Sequence, residues 1–215
     1  MSDRLRALLA VLGVLAFTLA WVLSGLRTEG FDPVRLSISQ LQRDGTTTGT
    51  VMTVAFVAFA VGGLAVAPVL GRRLGRAPQV ALTVASLATL GAAASPLGQV
   101  RGGAQDIVHL GFGTAGYTAL SVLPLLAGWA LRHRARRVAG VSFLLGAVAS
   151  VCLLGTVPAQ AVSGALQRVG FLAGHLWLVG FAVVVLLSPS LSGSCAPGRG
   201  TDPRGRHPHT PSSPR

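Results

Sequence analysis

Lysine is absent from this chain of 215 residues, and acidic residues are few. All 18 basic residues are arginines, against six aspartates and glutamates. Retinal and pyridoxal Schiff bases form on a lysine amine, so the absence of lysine excludes a rhodopsin-type pigment and pyridoxal chemistry. No cofactor is predicted from the sequence.

Cysteine is almost as scarce. Cys152 lies inside an apolar run and Cys195 lies near the C-terminus, and the pair lacks the spacing of a disulfide or a zinc site. We interpret the first as a small core residue and the second as an incidental thiol.

Charged residues make up only 11% of the chain, whereas hydrophobic residues make up 51% and the mean hydropathy is +0.63. Soluble domains carry about 25% charged residues, so a lipid bilayer is the better solvent for this surface. The net charge of +12 raises nucleic acid as a partner. Nucleic-acid binders gather basic residues on one face, whereas these arginines lie in short gaps between apolar runs. The sequence therefore predicts membrane lipid, and not nucleic acid, as the partner.

Six apolar stretches have the length of about 20 residues that crosses ~30 Å of hydrocarbon as a helix. They are Ala7–Leu26, Thr50–Leu70, Gln79–Leu97, Ile107–Leu131, Val138–Val157 and Val169–Ser188. The sequence thus predicts an all-α, polytopic membrane protein with a six-helix transmembrane bundle over residues 1–188. A signal peptide is an alternative for the first stretch, but its apolar run exceeds the usual ~7–15 residues, which favours a retained helix.

The arginines are unevenly distributed between the two sides of the predicted bundle. Thirteen lie in the N-terminal segment, the second and fourth loops and the C-terminal tail, and five lie in the other loops. Because arginine in short loops marks the cytoplasmic side, we expect a multi-pass protein of the cell (plasma) membrane with both termini in the cytoplasm. Residues 189–215 are rich in Pro, Gly, Ser and Arg, which predicts a disordered basic tail. Its His207 and His209 are typical of a metal tract, but a solvated tail near anionic lipid fits better.

Glycine motifs occur inside the predicted spans. Gly111, Gly113 and Gly116 fit the G-x-G-x-x-G pattern, but a dinucleotide site needs a strand before the pattern, and this one lies within a membrane helix. We interpret it, with Gly170 and Gly174, as small-residue faces for close helix packing. Such faces are also compatible with a homo-oligomer.

Four ionisable residues lie at the outer ends of the fourth and sixth spans. Asp106 and His109 are three residues apart and share a helix face, as do Arg168 and His175, which are seven apart. Full charges cost roughly 2.5–3.5 kcal/mol at mid-span, so such groups usually face the bundle and find a partner. We expect the four to converge at the outer leaflet between the fourth and sixth helices, with Ser39 nearby.

Two interpretations of this polar site stay open. One is a structural ion-pair network, and the other is a functional pocket. In a pocket, Asp106, His109 and His175 are weak candidates for metal ligands or for a proton relay. The sequence identifies no catalytic residue and no definite metal site.

The first outer loop, residues 27–49, is the longest. Apolar residues at Leu36, Ile38 and Leu41 predict a short interfacial helix or extended piece on the outer surface.

Three short motifs resemble the DUF998 family of bacterial and archaeal membrane proteins. They are Ile38-Ser39-Gln40-Leu41, the Asp106-x-x-His109 opening of the fourth span, and Leu166-Gln167-Arg168 before the sixth. The resemblance covers roughly residues 7–188, and it implies a six-helix bundle with no assigned activity.

Three functions are compatible with these observations. The first is a non-enzymatic membrane protein with a polar outer-leaflet site. The second is a small-molecule or lipid transporter or carrier, although the spans lack the mid-membrane charges common in transporters. The third is an intramembrane metal-dependent lipid hydrolase, which usually needs three His ligands, whereas only His109 and His175 lie on the outer side. The sequence therefore favours a protein that is not an enzyme.

Overall fold

The computed structural model describes residues 1–188, and within them it contains six α-helices and no strand. The helices are α1 (Asp3–Arg27), α2 (Thr47–Leu74), α3 (Arg76–Ala94), α4 (Ala104–Leu131), α5 (Arg136–Gly155) and α6 (Ser163–Leu187). All six are long and apolar enough to cross a membrane, which confirms the prediction of an all-α, polytopic membrane protein. The predicted tail, residues 189–215, lies outside the described residues.

The helices form a closed bundle. Each helix packs on the next along the chain, α1 packs on α6, and α4 also contacts α6. Small residues allow close approach, since a Cβ added at Gly13 would collide with the backbone of α2, and one added at Gly62 with the backbone of α1. Large apolar side chains on the outside, such as Leu144 and Leu176, are about two-thirds exposed and suit a lipid environment.

The beginning and the end of the described chain meet at one end of the bundle. At one end, Arg72 forms a salt bridge of 2.6 Å with Asp3. Arg4 and Arg73 there donate to the carbonyl and the hydroxyl oxygen of Ser188, at 3.1 and 3.2 Å. The beginning and end of the described chain therefore lie together. The opposite end, which carries the loops 28–46, 95–103 and 156–162, is named the distal end below.

Helix boundaries depart from the predicted spans at both ends of the bundle, and the largest difference, six residues, is at the distal end of α6. Helix α3 ends at Ala94 instead of Leu97, because a residue that precedes proline, here Ser95, disfavours helical geometry. Helix α6 begins at Ser163, six residues before the predicted Val169. Its polar first turns have hydrogen-bond partners in the first distal loop, and hydropathy does not register such partners.

The first distal loop, residues 28–46, folds into the bundle. The predicted short helix forms as a 3₁₀ turn over Ile38–Leu41. Instead of resting on the outer surface, Ile38 and Leu41 are buried, with 2% and 1% of their surfaces exposed. The loop also pairs with the second distal loop, where the Leu97 amide donates to the Gln42 carbonyl and the Asp44 amide donates to the Leu97 carbonyl, at 2.9 and 2.8 Å. The first and second distal loops are therefore joined by backbone hydrogen bonds.

The glycine motifs divide into two groups. Gly170 and Gly174 of α6 lie directly against Tyr117 and Leu120 of α4, as the small-residue interpretation predicts. Gly116 lies near α3, but a Cβ added at Gly111 or Gly113 would meet no atom within 4 Å. The G-x-G-x-x-G run therefore packs at one of its three glycines and leaves open space beside the other two.

Candidate functional site

Arg168 binds the first distal loop. Its Nη1 donates to the carbonyl oxygens of Pro33, Leu36 and Gly164 at 2.6, 2.8 and 2.8 Å. The guanidinium carbon lies 5.4 Å from the ring centroids of both Trp21 and Phe31, which is cation–π range. Only 8% of the residue is exposed, and no acidic side chain in residues 1–188 pairs with it. Backbone carbonyls and aromatic faces therefore stabilise this charge, while the buried Nε and Nη2 have no hydrogen-bond partner among residues 1–188.

Neighbouring residues of α6 extend this contact. The Gln167 side-chain oxygen accepts from the Ile38 amide at 2.7 Å, and the Ala165 amide donates to the Val34 carbonyl at 2.9 Å. The Ser163 hydroxyl donates to the Arg35 carbonyl at 2.9 Å. Together with Arg168 these groups attach residues 33–38 to the start of α6, and this set of contacts is named the α6 anchor.

Asp106 organises the second distal loop. Its two carboxylate oxygens accept from the backbone amides of Gly98 and Gly102, at 2.9 and 2.8 Å. Its position in the first turn of α4 also suits the positive end of the helix dipole. Backbone amides of the second distal loop therefore satisfy both oxygens of the carboxylate.

His109 lies one turn deeper on α4 and is 3% exposed. Its Nδ1 is 2.8 Å from the Ser95 carbonyl oxygen, which only accepts, so Nδ1 carries the proton. The ring also stacks on Phe56 with a centroid separation of 6.4 Å. The contact with Ser95 fixes the ring orientation and leaves the other ring nitrogen, Nε2, free to make a hydrogen bond.

His175 is enclosed by aromatic rings in the middle of the bundle. The centroids of Phe17, Phe59 and Phe171 lie 5.2–5.7 Å from its ring. Nδ1 is 3.5 Å from the Thr18 hydroxyl, and the buried Nε2 has no partner among the described residues. The surroundings of His175 are therefore apolar, and the Thr18 hydroxyl is the one polar group of the described residues within hydrogen-bond range of its ring.

A cavity of about 960 Å³ opens among α4, α5, α6 and the 3₁₀ turn Ile38–Leu41, and residues of α1, α2 and α3 complete its wall. Aromatic side chains line it, and polar side chains line it as well. The aromatic residues are Phe17, Phe56, Phe59, Phe112, Tyr117 and Phe171, and the polar ones include Ser37, Ser39, His109, Gln160, Ser163 and Gln167. Its volume falls in the upper part of the range for small-molecule sites.

The five residues predicted for the polar site occupy different positions around this cavity. Ser39 and His109 line it, and Ser39 is paired with the Ser37 hydroxyl at 2.9 Å. Asp106 and Arg168 face separate distal loops, and His175 lies behind three of the phenylalanines that line the cavity. Within residues 1–188 no three His, Cys, Asp or Glu side chains come together as a group that could hold a metal ion.

Sequence reasoning missed the aromatic wall. Phe56 and Phe59 are three residues apart and so share one face of α2, which hydropathy registers only as apolar. Whether such a face meets lipid or a cavity depends on how the helices are arranged around it. Among the six aromatic lining residues, Tyr117 alone carries a polar group. Its hydroxyl lies 3.5 and 3.4 Å from the carbonyl oxygens of Leu166 and Gln167.

Comparison with known proteins gives one match. The family model described as "Protein of unknown function (DUF998)" matches residues 11–184, which span all six helices. No curated protein and no solved structure matches the chain. The match covers well over half of the chain, including the α6 anchor, Asp106 and the cavity. The chain is therefore a member of the DUF998 family of integral membrane proteins.

Proposed function

We propose that this protein binds an amphipathic, lipid-like molecule in the cavity among α4, α5 and α6. The observation that carries the proposal is the cavity wall, which joins an aromatic region to a polar region within one space of about 960 Å³. An amphiphile has the same division between an apolar body and a polar head. Sites for small ligands commonly combine apolar walls with a few polar groups in this way.

The depth of the lining residues indicates how the ligand is oriented in the cavity. Phe17 lies ten residues from the distal end of α1, and Tyr117 lies thirteen residues from the distal end of α4. At about 1.5 Å per residue, both rings are about 15 to 20 Å below the distal end. By contrast, Ser37, Ser39 and Gln160 belong to the distal loops. The polar head is therefore assigned to the distal end and the apolar body to the interior.

Access from the bilayer is supported by the rim between α4 and α5. Leu110, Leu154 and Val157 line the cavity and yet are 67%, 73% and 74% exposed, so the rim is apolar and faces outward. The close contacts of the two helices at Gly128 and Gly146 lie toward the other end. A lipid chain can therefore enter sideways without crossing a polar surface.

We also propose that the distal end faces the outside of the cell and that both termini are cytoplasmic. Thirteen of the 18 arginines support this orientation through the rule that arginine in short loops stays inside. A reporter that is active only in the periplasm is expected to give no signal when fused after Arg137 and a strong signal when fused in the loop 95–103. A periplasmic signal after Arg137 would overturn the orientation.

Binding is tested with hexadecanol and hexadecanoic acid that carry a photoactivatable diazirine on the chain. In phosphatidylcholine vesicles, at least one probe is expected to crosslink saturably to cavity residues of α4 to α6, and unlabelled competitor should remove the signal. Gly113→Trp is expected to reduce this labelling about tenfold or more, because Gly113 lines the cavity and has open space beside it.

Gly180→Trp is the matched control. Gly180 of α6 also has no atom within 4 Å of an added Cβ, but it does not line the cavity. Its labelling should equal that of the unmodified protein. If neither probe labels the cavity saturably, or if both variants reduce labelling equally, the proposed function is wrong.

A further inference from the structure

The cavity wall carries no carboxylate, guanidinium or amine in the part of the chain that the structure describes. Its polar members are hydroxyls, amides, one phenol and one imidazole. The nearest charges, Asp106 and Arg168, are not lining residues. Asp106 accepts from two backbone amides. Nη1 of Arg168 donates to three backbone carbonyls, and its buried Nε and Nη2 have no partner within residues 1–188. An ionised head group would enter this space without a counter-charge, which is costly away from water. The wall therefore selects an uncharged head.

His109 adds a requirement for a hydrogen-bond donor. Because Nδ1–H donates to the Ser95 carbonyl, Nε2 of the neutral ring is an acceptor. The ring lines the cavity, and Nε2 has no hydrogen-bond partner within residues 1–188. A head group that only accepts hydrogen bonds, such as an ester or an ether, would leave this nitrogen unpaired.

Gln167 adds a requirement for an acceptor. Its side-chain oxygen is engaged by the Ile38 amide at 2.7 Å, so its NH₂ group is the part left to donate. The Ser37 and Ser39 hydroxyls, 2.9 Å apart, supply further groups of either kind at the same wall. A hydroxyl is the smallest neutral head that can donate to His109 and accept from Gln167.

From this wall we infer that the ligand is an uncharged lipid alcohol, with its hydroxyl among His109, Gln167 and the two serines and its chain among the phenylalanines. The inference rests on the proposed function and narrows it to one class of head group. It separates this site from one that binds a fatty acid or a phospholipid through charge.

Three diazirine probes with the same chain test the head group, namely hexadecanol, methyl hexadecyl ether and hexadecanoic acid in its ionised form. The alcohol is expected to label the cavity about three- to tenfold more strongly than the ether, which is the worth of one hydrogen bond. The acid is expected to fall below the ether. Equal labelling by all three would overturn the inference and leave the proposed function standing, whereas no saturable labelling would overturn the proposed function itself.

His109→Phe tests the acceptor. Phenylalanine keeps a ring that can stack on Phe56, but it carries neither ring nitrogen and so offers the ligand no acceptor. The ratio of alcohol to ether labelling is expected to fall to about one in this variant. A ratio that stays at the unmodified value would contradict the role of His109. Because the measurement is a ratio within one protein, a partial loss of folded material does not change it, and the comparison of probes on the unmodified protein stands by itself.

Discussion

Replacing Arg168 with leucine is expected to lower the free energy of unfolding by about 3 kcal/mol, the scale of hydrogen bonds from a charged donor whose partners are left buried. The change removes the donor shared by the Pro33, Leu36 and Gly164 carbonyls, and leucine cannot replace it. It also removes the cation–π contacts with Trp21 and Phe31. Thermal unfolding in detergent measures the loss, and amide hydrogen exchange of residues 28–46 reports whether the loop detaches.

Arg35→Leu is the matched control, since it removes an arginine from the loop that Arg168 contacts. Its contact with Asp32 is 3.6 Å long, and its side chain is 72% exposed. Exposed pairs of this kind contribute little, so its effect should stay within about 0.5 kcal/mol. If the two variants lose the same stability, or if exchange in residues 28–46 is unchanged in Arg168→Leu, the α6 anchor does not hold the loop.

The consequence of losing the anchor extends to the cavity. Residues 33–36 are bound to α6, and Ser37 and Ser39 follow directly in the chain and line the cavity. A detached loop would therefore move two of the hydroxyl groups assigned to the ligand's head. Labelling by the alcohol probe should report this movement, because the loop carries two of the hydroxyl groups assigned to the head. The aromatic wall belongs to the helices and does not depend on the loop.

The six helices could be predicted because a membrane imposes one strong requirement, about 20 apolar residues for each crossing. The residues at which these helices begin and end could not be predicted to the same standard. At α6, Gln167 and Arg168 look too polar for a span, yet both are helical because their side chains satisfy backbone groups of a loop more than 120 residues earlier. Partners that distant in the sequence leave no trace in a local pattern.

The partners of the candidate site residues could not be predicted from the sequence either. Two criteria select Asp106, His109, Arg168 and His175, namely the free-energy cost of placing a charge in a membrane and the helical spacing of the residues. The structure gives Asp106 and Arg168 backbone partners in two different loops. Sequence reasoning looks for side chains that pair with side chains, whereas here amides and carbonyls, which every residue carries, satisfy the charges. The aromatic wall went unnoticed because a phenylalanine toward lipid and one toward a cavity are identical in hydropathy.

A single methyl group at Gly164, which like Arg168 belongs to α6, is expected to disturb the same junction between α6 and the first distal loop. A Cβ at this position would collide with the Leu36 carbonyl oxygen and would lie 2.8 Å from the Pro33 carbonyl oxygen. Both are backbone atoms, so no side-chain rotation can relieve the contact, and the loop must shift. Gly164→Ala is therefore expected to cost about 2 kcal/mol, in the range of overpacked cores, as measured by thermal unfolding.

Gly180→Ala makes the identical chemical change in the same helix at a position where the new methyl group meets nothing within 4 Å. Since alanine favours a helix over glycine, this variant should be neutral or more stable by up to about 1 kcal/mol. The two variants are thus expected to shift the unfolding midpoint in opposite directions or by clearly different amounts. Equal shifts would mean that helix propensity, and not contact with the loop backbone, governs Gly164, and the close seating of the first distal loop on α6 would be refuted.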